Sequence, residues 1–307
     1  MQVARMQQAV SLGLVGTAAV CLIGLWPYSP ALAVVASALC LLAYSGLLAI
    51  EFVLMHRINR SDAAPRARPT ELLGAWWGET RVAAQVFAWR QPFRSNALPD
   101  QLGDPGLKGQ RGVVFVHGLL CNRGFWTPWL RQLQGGRHAF VALSLEPAFG
   151  TIDNYAGQIE QAVQQVSDAS GLPPLLVCHS MGGLAVRAWL KTPGHLSRIH
   201  HVVTLGSPHH GTWLARFGRS HNGKQMRQGS GWLGKLAAIA GQEEKAAMAA
   251  RFTCWYSNCD NIVFPASTAT LQGADNRFVS GAAHVQLAFL PEVMRATLAM
   301  LAQGPDR

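Results

Sequence analysis

Two long runs of apolar residues open the chain. Residues 9–26 contain no charged side chain, and residues 31–55 contain only Glu51, near their end. Each run is long enough to cross the hydrocarbon core of a bilayer as a helix. Trp26-Pro27-Tyr28-Ser29-Pro30 interrupts them, so the pattern predicts a transmembrane helical hairpin over residues 1–58 with an aromatic, uncharged tip. Ala9, Gly13, Thr17 and Cys21 place a small residue at every fourth position of the first run, a spacing that lets a second helix approach closely. The alternative is a cleaved signal peptide, because Arg5, an apolar core and Ala31-Leu32-Ala33 imitate its three regions. Cleavage would leave the second run at the new terminus, still in need of a membrane.

Beyond the hairpin the period changes twice. Residues 61–70, with two prolines and several charges, read as a linker. Residues 71–89 carry Leu72, Leu73, Trp76, Trp77, Val82, Val86, Phe87 and Trp89 at roughly helical spacing. This predicts an amphipathic helix that either lies in the membrane interface, where indole rings favour the headgroup level, or packs on the domain that follows. The linker and this helix make a second region, 59–109. From residue 112 short apolar runs alternate with helical patterns. Strands are expected at 113–116, 139–145, 175–179, 201–205, 252–256 and 277–279. Helices are expected over 153–171, with Asp153 as N-cap, from the Ser180 turn through Leu190, and over 285–301. Such βαβ alternation predicts an α/β domain over 110–304, a mostly parallel sheet with helices on both faces. Residues 212–250 break the rhythm and read as an insertion over the sheet.

Composition narrows the class. With 49% hydrophobic and 14% charged residues the chain is too apolar for disorder. The net charge of +10 comes from scattered basic residues without a recognisable nucleic-acid motif, so anionic lipid headgroups are the expected attraction and nucleic acid is not a partner. His56, Arg57, Arg60, Arg66 and Arg68 follow the second apolar run, whereas the hairpin tip has no Lys or Arg. The positive-inside bias therefore predicts a multi-pass inner-membrane protein with its large domain in the cytoplasm. There the six cysteines, none with zinc-ligand spacing, should stay reduced, Cys254 and Cys259 included. Adjacent His209 and His210 point to different sides and have no further ligand nearby, so they read as structural and no metal is expected.

The chemistry is carried by Leu175-Leu176-Val177-Cys178-His179-Ser180-Met181-Gly182-Gly183, an apolar strand that runs into a serine and then opens a helix. A hydroxyl on such a turn stands clear of its backbone, and the next amide, on Met181, points where an oxyanion would form. Cys178 occupies the first glycine position of the usual Gly-x-Ser-x-Gly pattern. Serine is a poor nucleophile at neutral pH, so Ser180 needs a base and the base an orienting acid. Asp260 and then His284 follow it along the chain, each after a later strand; Asp275, nearer His284 in sequence, is an alternative acid.

Residues 112–301 resemble the bacterial lipase and esterase branch of the α/β-hydrolase superfamily. VHGLL from Val116, CHSMGG from Cys178, TLGSPHHGT from Thr204, YSNCDNIVFP from Tyr256 and GAAHVQLAF from Gly281 carry the resemblance. It implies an α/β-hydrolase fold with Ser180 as nucleophile, Asp260 as acid, His284 as base and the backbone N–H groups of Leu119 and Met181 as oxyanion hole, with no cofactor. Some related lipases bind calcium near the histidine loop, but no ligand set stands out around Asp275. His179 reads as packing beside the elbow, and Cys121 as a buried filler. Trp213, Leu214, Phe217, Trp232, Leu233 and Leu236 of the insertion would place apolar groups above the Ser180 pocket, favouring lipid-like esters; an ordinary cap over a small-ester site is the alternative. An acyltransferase could use the same three residues, and a membrane-anchored binding protein could keep the fold without turnover.

Overall fold

A computed structural model describes residues 2–238 and 241–302. Residues 239–240 of the expected insertion and the last two positions of the expected α/β domain, 303–304, lie outside the described residues. Helices α1 (Gln2–Leu25) and α2 (Pro30–Ile58) form an antiparallel hairpin. Ser29 caps α2, its Oγ accepting from the Leu32 amide at 3.3 Å, and Pro30 takes the first helical position. Both helices are long and apolar enough to cross a membrane by length and composition, and most of their large apolar side chains, such as Val20, Ile23, Leu39 and Ile50, face outward. The small-residue row meets α2 only at its end: Ala9, Gly13 and Thr17 are exposed, Cys21 is half-buried against Cys40 of α2, and the buried positions are Ala4, Gln7 and Ala18. The physical reason lies in two polar anchors. The Ser37 hydroxyl donates to the Ala18 carbonyl at 2.9 Å, and Gln7 Nε2 donates to the Leu120 carbonyl at 3.0 Å, turning that face of α1 inward.

The third helix, α3 (Pro69–Gln85), runs through a π turn (Val86–Arg90) into the short α4 (Gln91–Phe93). One face, with Ala75, Glu79 and Ala83, is buried against α2 and the sheet domain; Trp76 Nε1 donates to the Ser45 carbonyl at 3.0 Å. The opposite face exposes Leu73 and Trp77. The end of α2 is also tied to the sheet domain. Asn59 Nδ2 donates to the Asn258 carbonyl at 3.3 Å, and Asp62 accepts from the Ser267 amide at 2.9 Å.

Six parallel strands make the sheet: β1 (Val113–Val116), β2 (Phe140–Ala142), β3 (Leu175–His179), β4 (His201–Leu205), β5 (Phe252–Ser257) and β6 (Asp275–Val279), in the order β2-β1-β3-β4-β5-β6. Their side chains alternate between two apolar layers, as the period of two requires. Val114, Val116, Leu176 and Cys178 meet α6 (Ala156–Ser170) and α7 (Met181–Trp189) on one face. Val113, Phe115, Leu175 and Val177 meet α5 (Thr127–Leu133), α11 (His284–Leu287) and α12 (Pro291–Ala299) on the other.

Two local expectations differ from the structure. Asp153 does not cap α6. It sits inside a 3-10 turn (Ile152–Tyr155), and its Oδ2 accepts from Trp232 Nε1 at 2.7 Å and Gln225 Nε2 at 3.1 Å, so a distant partner takes the carboxylate. The last helix is divided, because Leu290 is extended before Pro291, the first residue of α12. The insertion holds a 3-10 turn (Trp213–Phe217), α8 (His221–Gln225), α9 (Gly231–Ala237) and α10 (Gln242–Ala249). Leu233 and Leu236 are buried in the layer over α7, whereas Trp213 and Leu214 pack near Phe52 and Met55 of α2. Cysteines 21, 40, 121, 178, 254 and 259 are all free thiols.

Candidate active site

Loops leaving the C-terminal ends of β1, β3, β5 and β6 converge on one point. Ser180 follows β3 with φ 53° and ψ −127°, a conformation costly for any residue with a Cβ. Three glycines make room for it. A Cβ on Gly118 would lie 2.7 Å from Ser180 Cβ, one on Gly182 2.3 Å from the Val116 carbonyl oxygen, and one on Gly183 2.4 Å from Ser207 Oγ. The turn is held from below by the Ser180 amide, which donates to the Leu205 carbonyl at 2.9 Å. Ser180 is buried, and among the described residues no hydrogen bond joins its hydroxyl to His284, whose Nδ1 is paired with Asp260.

The turn after β1 is set by His117. Its Nε2 accepts from the Leu145 amide at 2.9 Å, so the proton is on Nδ1, which donates to the Gly118 carbonyl at 2.8 Å. Burial pushes the pKa of this imidazole down to about 4 and keeps it neutral. The Gly118 carbonyl and the Leu119 N–H are opposite ends of one planar peptide. Anchoring the oxygen to His117 therefore turns the Leu119 amide the other way. The Met181 amide is the first of α7, and among the described residues neither amide has an acceptor.

Asp260 and His284 are joined by a 2.9 Å contact between Oδ2 and Nδ1, both side chains almost wholly buried. The other carboxylate oxygen, Oδ1, accepts from the amides of Ile262 at 2.9 Å and Val263 at 2.7 Å, which fixes the side chain in one orientation. Asp275 is elsewhere: it begins β6, is half exposed, and binds Arg277 Nε at 2.7 Å. Burial opposes a charge on His284, yet the carboxylate of Asp260, with Glu79 and Glu51 beyond it, outweighs that cost and raises its pKa above the ordinary value.

Gly206 links the serine to this pair. It follows Leu205 at φ +56°, and a Cβ there would lie 2.7 Å from Asp260 Oδ2 and 3.2 Å from His284 Nδ1. Sequence reasoning passed over it, although a glycine closing an apolar strand is a visible signal. Also missed were Glu79, Glu51 and Asn261. The buried carboxylate of Glu79 accepts from the amides of Val285 at 3.0 Å and Gln286 at 2.9 Å. Asn261 Oδ1 accepts from the His284 amide at 3.2 Å, while its Nδ2 donates to Glu51 Oε2 at 2.7 Å. An acid inside a tryptophan-rich helix was the one available hint.

The remaining residues singled out by sequence stand around this point or away from it. His179 stacks on Phe125, centroids 4.4 Å apart, and donates from Nε2 to the His284 carbonyl at 3.2 Å; burial holds its pKa well below the usual value. Cys121 is buried, which pushes its thiol up to about 12 and leaves little thiolate. His209 lies inside the fold against Thr204 and Cys254, and Arg187 Nη1 donates to its carbonyl at 3.0 Å. Among the described residues no group of His, Cys, Asp or Glu side chains could hold a metal ion.

Comparison with known proteins bears on the sheet and its loops. No curated protein matches the sequence. Among solved structures, the mature form of lipase BlEst2 from Bacillus licheniformis is similar at 16% identity, over 66% of this chain and 95% of that one, with a TM-score of 0.55. Lipase B from Aspergillus fumigatus is similar at 19% identity, over 68% of this chain and 56% of that one, also with a TM-score of 0.55. These likenesses show the fold. Residues 113–304 match the model of the alpha/beta hydrolase family, and the chain belongs to that family.

Proposed function

We propose that the protein is a membrane-anchored serine hydrolase of carboxylic esters, with lipid-like esters as its substrates. The observation that carries this reading is the buried Asp260–His284 pair, seated on Gly206 beside a strained Ser180. His284 Nε2 takes the Ser180 proton as Oγ adds to the ester carbonyl carbon. The amides of Leu119 and Met181 hold the resulting oxyanion. When the tetrahedral adduct collapses, its bond to the alcohol oxygen breaks and His284 returns the proton to that oxygen. Water then adds to the acyl serine with His284 again as base, releasing the carboxylic acid and restoring Ser180. Asp260 holds the ring in the tautomer with the proton on Nδ1 and stabilises the imidazolium.

The lipidic substrate class rests on the apolar helices packed behind the loops that carry Asp260 and His284. A groove of about 400 Å³ between α2 and α3 includes Phe52, Leu72 and Trp76, with His56, Arg57 and Arg60 also along it. Phe52 and Trp76 belong to the apolar cluster containing Cys259 and Ala283, the neighbours of Asp260 and His284. Both similar structures are named lipases, which supports the same class. With the hairpin in the inner membrane, the basic residues at and beyond the end of α2 favour a hydrolase domain on the cytoplasmic side. Fluorophosphonate labelling of the full chain in detergent, beside Ser180→Ala, tests the nucleophile. Wild type is expected to label and Ser180→Ala to remain folded and unlabelled; persistent labelling of the variant overturns the assignment. In an ester panel, turnover confined to short soluble esters would overturn the lipidic class.

A further inference from the structure

The base sits on a helix too short to hold itself. α11 is four residues long, and His284 is its first. The opening amides of a helix have no partner within it, and four residues bury too little apolar surface to fix its direction. Here the partners come from outside: the His284 amide goes to Asn261 Oδ1, the Val285 amide to Glu79 Oε1 and the Gln286 amide to Glu79 Oε2. Glu79 therefore takes two consecutive amides with the two oxygens of one planar group. Its helix is fitted for the approach, since a Cβ on neighbouring Gly78 would lie 2.5 Å from Gln286 Nε2.

A carboxylate only 1% exposed is costly unless something favours its charge. Among the described residues no Lys or Arg pairs with Glu79. The groups within electrostatic reach are His284 and Asp260 from the sheet domain and Tyr44 from α2, with Glu51 of α2 acting on the same histidine. His284 is the only one of these that becomes positive.

From this arrangement we infer that Glu79 is a positioning residue for His284, aiming the ring by capping α11 and favouring the imidazolium that forms when Ser180 gives up its proton. The inference rests on the reading of His284 as base. It makes α3, and through Glu51 and Asn261 also α2, part of the machinery that holds the base, so the segment joining membrane hairpin and hydrolase domain governs the rate. Burial pushes the Glu79 pKa up to about 7, while the two amide donors pull against that; the carboxylate thus gains a proton as pH falls below neutral and its support for the imidazolium fades.

The test uses the full chain in detergent micelles, with Glu79→Gln, Glu79→Asp and His284→Ala, and p-nitrophenyl butyrate as substrate. Glutamine can accept from one amide but turns its own NH2 toward the other, and it removes the charge. For Glu79→Gln, kcat should fall about tenfold or more with KM within about twofold of wild type. Its acidic limb in kcat/KM should move about one unit toward lower pH, because loss of a nearby negative charge lowers the imidazolium pKa. Glu79→Asp keeps the charge but is one methylene short, so its limb should stay near wild type while kcat still falls. A folded Glu79→Gln with wild-type kcat and an unmoved limb overturns the inference. Should that variant fail to fold, Glu79→Asp with wild-type kcat overturns it instead. Activity surviving in His284→Ala would defeat the base assignment itself, whereas an inactive His284→Ala beside an unaltered Glu79→Gln defeats only the role of Glu79.

Discussion

Gly206→Ala is the sharpest perturbation the geometry offers. Two separate costs fall on it. At φ +56° an L-residue costs about 1–2 kcal/mol more than glycine. The added methyl would also lie 2.7 Å from Asp260 Oδ2, so the carboxylate must withdraw by roughly 0.7 Å to reach ordinary van der Waals contact at 3.4 Å. It cannot do so freely, because Oδ1 is pinned by the amides of Ile262 and Val263. The motion must come from the 2.9 Å contact with His284, whose ring would itself be only 3.2 Å from the methyl. Displacement of a catalytic group by about 1 Å typically costs about 10²-fold in rate, and that loss is expected in kcat, with KM little changed. A total destabilisation of about 2 kcal/mol would lower the Tm of the hydrolase domain by about 4–8 °C. Gly135→Ala is the control: it carries a similar φ of +71° with nothing within 4 Å of its Cβ, so it should show the backbone cost and keep full activity. Steady-state kinetics, fluorophosphonate labelling and thermal melts of the two variants separate strain from displacement. Wild-type kcat in Gly206→Ala would refute the placement of the acid and base over this residue.

Other outcomes follow from the same site. Asp260→Asn should lower kcat about 10³- to 10⁴-fold by losing the tautomer and the charge that support His284, whereas Asp275→Asn, which touches a half-exposed pair with Arg277 and a contact with the Thr253 hydroxyl, should stay within about twofold; equal losses in the two variants would overturn the choice of Asp260. His284 must be neutral to accept the serine proton, and its pKa is raised, so kcat/KM should fall as pH drops through a value above the ordinary 6.5; a limb clearly below 6.5 would contradict the buried ion pair.

The parts legible in the sequence are those written locally. Val113-Val114-Phe115-Val116 and Leu175-Leu176-Val177 are strands buried on both faces, and such runs declare themselves without tertiary knowledge. The serine turn was less plain, because Cys178 stands in the first glycine position, and it was the order of Asp260 and His284 after Ser180 that weighted the reading. Asp260 could not be separated from Asp275 by spacing alone; their difference is that one follows β5 at the edge where the loops converge and the other opens β6 at the opposite edge. Glu79 and Glu51 were illegible because their partners lie roughly two hundred residues away, and no periodicity reports a contact between an α3 carboxylate and the amides of α11. Asp153 misled for the same reason, a local capping signal overruled by Trp232. Pro291, by contrast, was a visible helix start inside the expected last helix.

If the hairpin spans a membrane as proposed, the ties between α2 and the loop bearing Asp260 would fix the height of the proposed reaction centre above it. Were the hydrolase domain on a slack tether, an ester with long chains would have to be lifted into water to reach the serine, at about 0.8 kcal/mol for each methylene drawn out of the hydrocarbon. With the hairpin clamped beside the loops in a bilayer, the chains of such an ester would stay immersed while its headgroup end swings toward Ser180. Turnover would then scale with the mole fraction of substrate in the lipid surface, and diluting the bilayer with inert lipid would slow it even when the total amount of substrate in the sample is held constant.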